Sequence, residues 1–275
     1  MDMPVTNPNK ALWEKGDFTR IAETMRDSGE AFVATHGIRP GMAVLDLGCG
    51  DGTTALPAAR LGADVLGVDI AANLVAAGNA RARAAGLANL RFEQGDACDL
   101  EGVADERFDL VVSLFGAMFA PRPLDAARAM VRVARPGGRI VMGNWIPGDP
   151  TLVAQVLKIS ADFTPPPPPG FVSPVTWGEE AHVVQRFAAA GIPAAAIDFA
   201  RASWVFEVPG PPADLLDIFR NYYGPTMNAY AAAEAEGREA ELHGRLLQLF
   251  EAQARTTEAG TRIAATFLKV TVAKA

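Results

Sequence analysis

The chain has 275 residues, of which 49% are hydrophobic and 21% are charged. This balance is typical of a globular domain with a sizeable core and argues against a disordered or fibrous chain. The net charge of -7, with no cluster of Lys and Arg, argues against nucleic acid as a partner. The opening MDMPVTNPNK has no apolar signal core, and no segment is long and apolar enough to span a membrane, so we expect a cytoplasmic protein without membrane contacts.

Short β-rich runs alternate with helical patterns over the first two thirds of the chain, a pattern that predicts a parallel sheet covered by helices. A first helix is predicted from Asp17 to near Gly37. The five predicted strands that follow are 43–47, 64–69, 90–94, 108–115 and 138–145. The helices predicted between them are 53–61, 71–85 and 123–134. The fold class is therefore α/β, with a doubly wound sheet.

The pattern changes after Trp145. We predict, in order, a helix at 151–162, a stiff proline-rich spacer at 164–170, a helix at 177–190, a strand at 196–208, a mostly helical stretch at 213–255 and a last strand at 263–272. A strand that follows a long helical excursion usually returns to the sheet. The chain thus divides into an N-terminal lid and helix (1–36), a Rossmann-like core (37–208 and 261–275) and a helical insertion that covers an acceptor site (209–260).

A glycine-rich loop follows the first predicted strand in VLDLGCGDGTT, residues 44–54. Ligands of doubly wound sheets bind beyond the carboxyl ends of the strands, and glycine lets them approach the backbone. Asp69 ends the second strand, 21 residues after Gly48, where a carboxylate can accept the hydroxyls of a ribose. The sequence therefore predicts a ligand that contains a ribose.

Two ligands compete at this loop. A dinucleotide is held by G-x-G-x-x-G, whereas Gly48, Gly50 and Gly52 are spaced G-x-G-x-G, and Asp46 and Asp51 would repel a pyrophosphate. The same acids would attract the ammonium and sulfonium of S-adenosylmethionine, which favours that ligand. An NAD(P)-dependent Rossmann reductase is the alternative enzyme, and a non-catalytic protein that binds S-adenosylmethionine is a further alternative.

Five segments resemble, in order and spacing, the motifs of the class I (Rossmann-like) S-adenosylmethionine-dependent methyltransferases. They are VLDLGCGDGTT, GVDI (67–70), EQGDA (93–97), FDLVVSLFGAMF (108–119) and RPGGRIVM (135–142). The tail is similar to that of the bacterial small-molecule branch, which includes the ubiquinone and menaquinone methyltransferases. The resemblance implies a three-layer sheet of seven strands, mostly parallel, with an antiparallel last strand between the fifth and the sixth, and a helical insertion or lid.

The resemblance also implies which residues contact the cofactor. Asp46 would orient the methionine ammonium, Asp69 would bind the ribose diol and Asp96 would accept the adenine amino group. The full set of implied cofactor residues is Asp46, Gly48, Cys49, Gly50, Asp69, Ile70, Asp96, Ala97, Ser113 and Leu114. The product would be S-adenosyl-L-homocysteine.

Aromatic and apolar residues are the candidates for binding the acceptor. They are Trp13 and Phe18 in the N-terminal lid, Phe115, Met118 and Phe119 after the fourth strand, Trp145 after the fifth, and Tyr222, Tyr223 and Tyr230 in the insertion. The catalytic residue is unknown, with His243, His182, Tyr222 and Tyr223 as candidates for a general base. No metal is expected, because the stretch after the fourth strand lacks an acidic pair.

These observations predict one reaction. We expect the protein to transfer a methyl group from S-adenosylmethionine to a small, partly apolar acceptor by direct in-line displacement. We expect it to act as a monomer or a homodimer.

Overall fold

The structure is a computed structural model that describes Asn7 and residues 9–275. The other residues, 1–6 and 8, belong to the predicted N-terminal lid, and this part of the prediction lies outside the described residues. No helix in the described part of the chain is long and apolar enough to cross a membrane.

One mixed sheet forms the centre of the molecule. Within the described residues its strands are β1 (Ala43–Leu47), β2 (Asp64–Asp69), β3 (Leu90–Gln94), β4 (Phe108–Leu114), β5 (Ala134–Trp145), β6 (Ile197–Val208), β7 (Arg255–Thr257) and β8 (Gly260–Ala273). Their order is β3-β2-β1-β4-β5-β8-β6, and the short β7 pairs with β8 outside this order. The five strands β1 to β5 are parallel, and β8 runs antiparallel to both β5 and β6. The predicted seven-stranded fold with an antiparallel last strand is confirmed, with β7 as a short addition.

Helices flank this sheet, and most lie close to their predicted positions. They are α1 (Asn9–Glu14), α2 (Thr19–Glu23), α3 (Arg26–Ala34), α4 (Ala55–Arg60), α5 (Ala72–Ala84), α6 (Pro123–Val133), α7 (Leu152–Ala161), α8 (Glu180–Ala189), α9 (Pro212–Tyr222), α10 (Gly224–Ala235) and α11 (Glu239–Gln253). The helix predicted at 177–190 begins later, after a 3₁₀ turn at Pro174–Gly178. The predicted insertion comprises α9, α10, α11 and β7.

The single helix predicted from Asp17 to Gly37 is wrong, because the structure has two helices with a break at Thr24 and Met25. The carbonyl of Thr24 accepts a hydrogen bond from the backbone N–H of Glu207 in β6, at 2.7 Å. That carbonyl is therefore bound to an edge strand of the sheet instead of continuing the helix. Ser28 also bonds the backbone of this edge strand. Its hydroxyl donates to the carbonyl of Val205 and accepts the N–H of Val205.

Two loops touch backbone to backbone at the carboxyl end of the sheet. The loop after β1 contains Gly48, whose φ of 67° lies in the left-handed region that glycine adopts without strain. The loop after β4 contains Gly116, and a Cβ added there would lie 2.6 Å from the Cα of Gly48. Only a residue without a side chain allows this approach at either position.

We predict that Gly116→Ala destabilises the protein by roughly 1 to 3 kcal/mol, because the added methyl group forces the two loops apart. The control is Gly244→Ala in α11, where an added Cβ meets nothing within 4 Å. We expect that substitution to stabilise the helix by about 0.5 to 1 kcal/mol. Urea denaturation measures both, and equal effects of the two substitutions would contradict the predicted contact.

Candidate functional site

A deep cleft opens at the carboxyl ends of the parallel strands, over the glycine loop. The predicted site residues that line it share this edge of the sheet or the elements placed over it. They are Trp13, Phe18, Asp46, Gly48, Cys49, Gly50, Asp69, Ile70, Asp96, Ala97, Leu114, Phe115, Phe119, Trp145 and Tyr223. One half of the cleft is built from the glycine loop and four acids, Asp46, Asp51, Asp69 and Asp96, and the other half is built mainly from aromatic rings. We call these the acid half and the aromatic half.

Two carboxylates in the acid half are buried without an opposite charge. Asp46, at the end of β1, is 2% exposed and accepts a hydrogen bond from the hydroxyl of Thr54. Burial raises the pKa of Asp46 to about 7, and the nearby Asp69 adds to this shift. Asp69 accepts the N–H groups of Gly50 at 2.8 Å and Ala71 at 3.0 Å, yet burial still raises its pKa. This half of the cleft therefore favours a ligand with positive charge or hydrogen-bond donors.

The second acid of the loop, Asp51, does not contribute the charge assigned to it from the sequence. Its carboxylate is 2% exposed and forms two hydrogen bonds to the guanidinium of Arg26, at 2.8 and 2.5 Å. Arg81 lies 3.3 Å from the same carboxylate. The charge argument made for Asp46 and Asp51 therefore belongs to Asp46 and Asp69.

The N-terminal segment reaches across the cleft to another of its acids, Asp96. The side-chain amide of Asn7 donates to one carboxylate oxygen of Asp96 at 3.1 Å, and the N–H of Cys98 donates to the other at 2.8 Å. The carboxylate of Glu14 accepts the N–H of Ala72 at the start of α5, at 3.0 Å. α1 is thereby attached beside the second strand of the sheet.

The aromatic half is a continuous wall of rings. Phe115 stacks on Trp145 with ring centroids 3.7 Å apart and planes 5° from parallel. Trp13 contacts Phe119 at 4.9 Å and Tyr223 at 6.1 Å, between centroids. Three further aromatic lining residues were missed from the sequence: Trp204, Phe206 and Phe219. Trp204 and Phe206 are two residues apart on β6, so their side chains lie on the same face of the strand. This alternation is visible in the sequence, but it does not indicate which site the face borders.

Six predicted site residues lie outside this cleft. Ser113 is buried, where its hydroxyl donates to the carbonyl of Leu47 at 2.6 Å and accepts the N–H of Ala117 at 2.9 Å. Met118 is buried in the core. Tyr222 is half-buried, and the guanidinium of Arg20 lies 6.0 Å from its ring centroid.

The two candidate histidines belong to this group of six. His182 is exposed and lies 3.1 Å from Glu179. His243 shares a 2.9 Å hydrogen bond with the hydroxyl of Tyr230, the sixth residue. Among the described residues, no histidine lines the cleft.

Both cysteines are buried and free. Burial raises the pKa of the Cys49 thiol, and that of Cys98 rises to about 12. Both thiols therefore favour the neutral form, which is a weaker nucleophile than the thiolate. The part of the chain that the structure describes contains no group of three or more metal-ligating side chains.

This chain is similar to known proteins in sequence and in fold. A family model described as a methyltransferase domain matches residues 45–142. An uncharacterized protein of Mycobacterium tuberculosis is 37% identical over 223 residues, which cover 81% of this chain and 79% of that protein. A demethylmenaquinone methyltransferase of Beutenbergia cavernae is 38% identical over 109 residues, 40% of this chain and 43% of that enzyme.

The fold also matches a solved structure. It is a Haemonchus contortus phosphoethanolamine N-methyltransferase in complex with phosphomonomethylethanolamine and S-adenosylhomocysteine, which superposes with a TM-score of 0.62 and 15% identity. The match covers 99% of this chain and 61% of that one.

We predict that Asp46→Asn changes the pH dependence of stability. The pKa of Asp46 rises from 3.8 to about 7 on folding, so the folded state binds this proton more tightly and the wild type loses stability as pH rises through this window. Asparagine cannot ionise and still accepts a hydrogen bond from Thr54. The stability of the variant relative to wild type should therefore increase by roughly 1 to 3 kcal/mol between pH 5 and pH 8.

Urea denaturation at the two pH values measures this difference. The control is Asp64→Asn, which changes an exposed acid at the opposite end of β2. A difference between Asp46→Asn and wild type that is the same at both pH values would show that Asp46 is already ionised at pH 5.

Proposed function

The chain belongs to the class I S-adenosylmethionine-dependent methyltransferases, and we propose that it methylates a small, partly apolar acceptor bound in the aromatic half of the cleft. The observation that carries this proposal is the division of one cleft into two chemically different halves. The acid half suits a cationic nucleoside, and the ring-lined half suits an apolar molecule. The net charge of -7 supports a small molecule over a nucleic acid as the acceptor.

The acid half fits S-adenosylmethionine in charge and in hydrogen bonding. Asp46 and Asp69 are buried carboxylates without a cationic partner among the described residues, so a bound ammonium and sulfonium would offset their charge. Each oxygen of Asp69 accepts one backbone N–H and keeps a lone pair for a ribose hydroxyl. We propose that Asp46 orients the methionine end, Asp69 holds the ribose and Asp96 accepts the adenine amino group.

The backbone of the loop would complete this site. Gly48 and Gly50 have no side chain to block a ligand from the backbone, and the backbone of Cys49 lies between them. Ile70, Ala97 and Leu114 are apolar neighbours in the same cleft. When bound, S-adenosylmethionine supplies a methyl group on a positively charged sulfur, which the acceptor takes by direct in-line displacement. The task of the protein is then to align the acceptor and to exclude water.

The aromatic half supports an apolar acceptor. Phe115, Phe119 and Trp145 lie beside the end of the glycine loop, and Trp13 and Phe18 close the cleft from the N-terminal side. We propose that residues 1–36 and the insertion 209–260 together cover the acceptor, since Trp13 and Tyr223 come from these two segments and their rings meet. Tyr222 and Tyr230 lie outside the cleft and are not part of the proposed site.

A general base is not assigned. His182 and His243 lie outside the cleft, and Tyr223 is the one of the four candidates that lines it. Burial raises the pKa of Tyr223, so its phenol is protonated at neutral pH and is not available as a base. We propose that the acceptor brings a nucleophile that does not need a histidine to deprotonate it.

The proposed cofactor site is tested by calorimetric titration with S-adenosylhomocysteine and, separately, with NAD. We expect S-adenosylhomocysteine to bind and NAD not to bind. Asp69→Ala should weaken the affinity for S-adenosylhomocysteine about 10- to 100-fold, because it removes a charge-assisted pair of hydrogen bonds. Asp64→Ala, at the exposed start of the same strand, should leave the affinity unchanged. Binding of NAD, or an affinity that survives in Asp69→Ala, would mean that the nucleoside lies elsewhere.

A further inference from the structure

We infer that Tyr223 selects the acceptor, by donating a hydrogen bond from its phenolic O–H to an oxygen atom of an uncharged, planar ring compound. This inference rests on the proposed function and narrows its acceptor to one chemical class. It depends on three observations. The ring of Tyr223 is packed in place, its hydroxyl has no hydrogen-bond partner among the described residues, and the side chains around it are uncharged.

The backbone and the ring of Tyr223 are both held in place. The residue joins α9 to α10, where its N–H donates to the carbonyl of Phe219 at 3.1 Å and its carbonyl accepts the N–H of Met227 at 2.9 Å. Its ring centroid lies 5.3 Å from that of Phe219, 6.1 Å from that of Trp13 and 6.5 Å from that of Phe18. A ring packed on three sides holds its hydroxyl at a defined position in the cleft.

The hydroxyl of Tyr223 has no hydrogen-bond partner among the described residues. The side chain lines the cleft, although the residue is only 5% exposed. Burial alone raises the pKa of this phenol, with no hydrogen bond contributing to the shift. The hydroxyl is not among the fully buried polar atoms that lack a partner, so it is reached from the cleft and is free to donate to a ligand oxygen.

The other two tyrosines do not offer a free hydroxyl to the cleft. Tyr230 bonds His243 through its hydroxyl, and Tyr222 lies outside the cleft. In the aromatic half, as far as the structure describes it, Tyr223 is thus the side chain that offers a hydroxyl to the acceptor.

The surroundings of Tyr223 favour an uncharged acceptor. The described side chains of the aromatic half are aromatic rings and aliphatic groups, with the uncharged Asn9 bonded to the backbone carbonyl of Phe119. A charged group placed there would lose its hydration without gaining a counter-ion. An anion would also face Asp46 and Asp69 in the adjoining half. An ammonium group has no lone pair with which to accept the proton that Tyr223 presents.

The shape of the wall favours a planar ring. Phe115 and Trp145 form a parallel stack, while Trp13 and Phe119 meet at 75°. Such faces and edges make their largest contact with another flat ring, in stacked or edge-to-face geometry. A ring that carries a carbonyl, ether or hydroxyl oxygen satisfies both the wall and Tyr223.

Three probes of similar size test the inference on the full chain saturated with S-adenosylhomocysteine. They are 2-acetylnaphthalene, which has an accepting oxygen, naphthalene, which has none, and 2-naphthoate, which is charged. Binding is followed by quenching of tryptophan fluorescence and by calorimetry. The variant is Tyr223→Phe, and the control is Tyr222→Phe, which removes the neighbouring hydroxyl outside the cleft. An unchanged affinity for S-adenosylhomocysteine shows that each variant is folded.

We expect Tyr223→Phe to weaken the binding of 2-acetylnaphthalene about threefold to tenfold, which is the usual effect of losing one neutral hydrogen bond. The affinity for naphthalene should stay unchanged. Tyr222→Phe should change neither, and 2-naphthoate should bind the wild type more weakly than 2-acetylnaphthalene. Equal weakening of both neutral probes, or no change in either, would overturn the role of Tyr223 alone. Tighter binding of 2-naphthoate would overturn the uncharged acceptor. Failure of all three probes to bind the loaded protein would overturn the apolar acceptor site itself.

Discussion

The burial of two carboxylates, Asp46 and Asp69, without an opposite charge is the constraint on which the site depends. Folding removes both groups from water, and only a threonine hydroxyl and backbone N–H groups take the place of the lost hydration. The folded protein therefore has a raised pKa at both positions and spends stability to keep them. Any ligand that brings positive charge to this pair recovers part of that cost and stabilises the fold by linkage. The preference for a cation is thus built into the folded state before any ligand contact is made.

Among the described side chains, the uncompensated negative charge of the loop region is confined to Asp46 and Asp69. Asp51, five residues after Asp46 in the same loop, is fully paired with Arg26 from α3 and Arg81 from α5. Without these partners a third buried charge would oppose the other two and destabilise the loop. The same pairs connect the N-terminal helices and the α5 layer to the glycine loop. The same contacts therefore compensate the charge of Asp51 and fix the position of the loop.

The sequence predicted the sheet well because the pattern of each parallel strand is local, as a mostly buried run in β1, β2 and β4 and as an alternating start in the edge strand β3. It failed where a distant partner decides the structure. The break between α2 and α3 depends on a hydrogen bond from Glu207 to Thr24. The charge of Asp51 is compensated by arginines 25 residues before and 30 residues after it in the chain. The tyrosines at 222, 223 and 230 are equivalent as a pattern. Only the turn between α9 and α10 places the second of them in the cleft, and no local signal distinguishes it from its neighbour.

The two halves of the cleft are joined by one turn, at Phe115 and Gly116. Gly116 presses on the Cα of Gly48 and so fixes the glycine loop of the acid half. Phe115, one residue earlier, has a φ of 58°, which is rare for a residue with a side chain, and it is held there by its N–H bond to the carbonyl of Gly143 and by its stack on Trp145. A glycine at 115 would adopt this backbone more easily but would remove the first ring of the aromatic half. The strained phenylalanine is therefore consistent with a turn that must serve both halves, because the distance between the acids and the rings is set at this single point of the backbone.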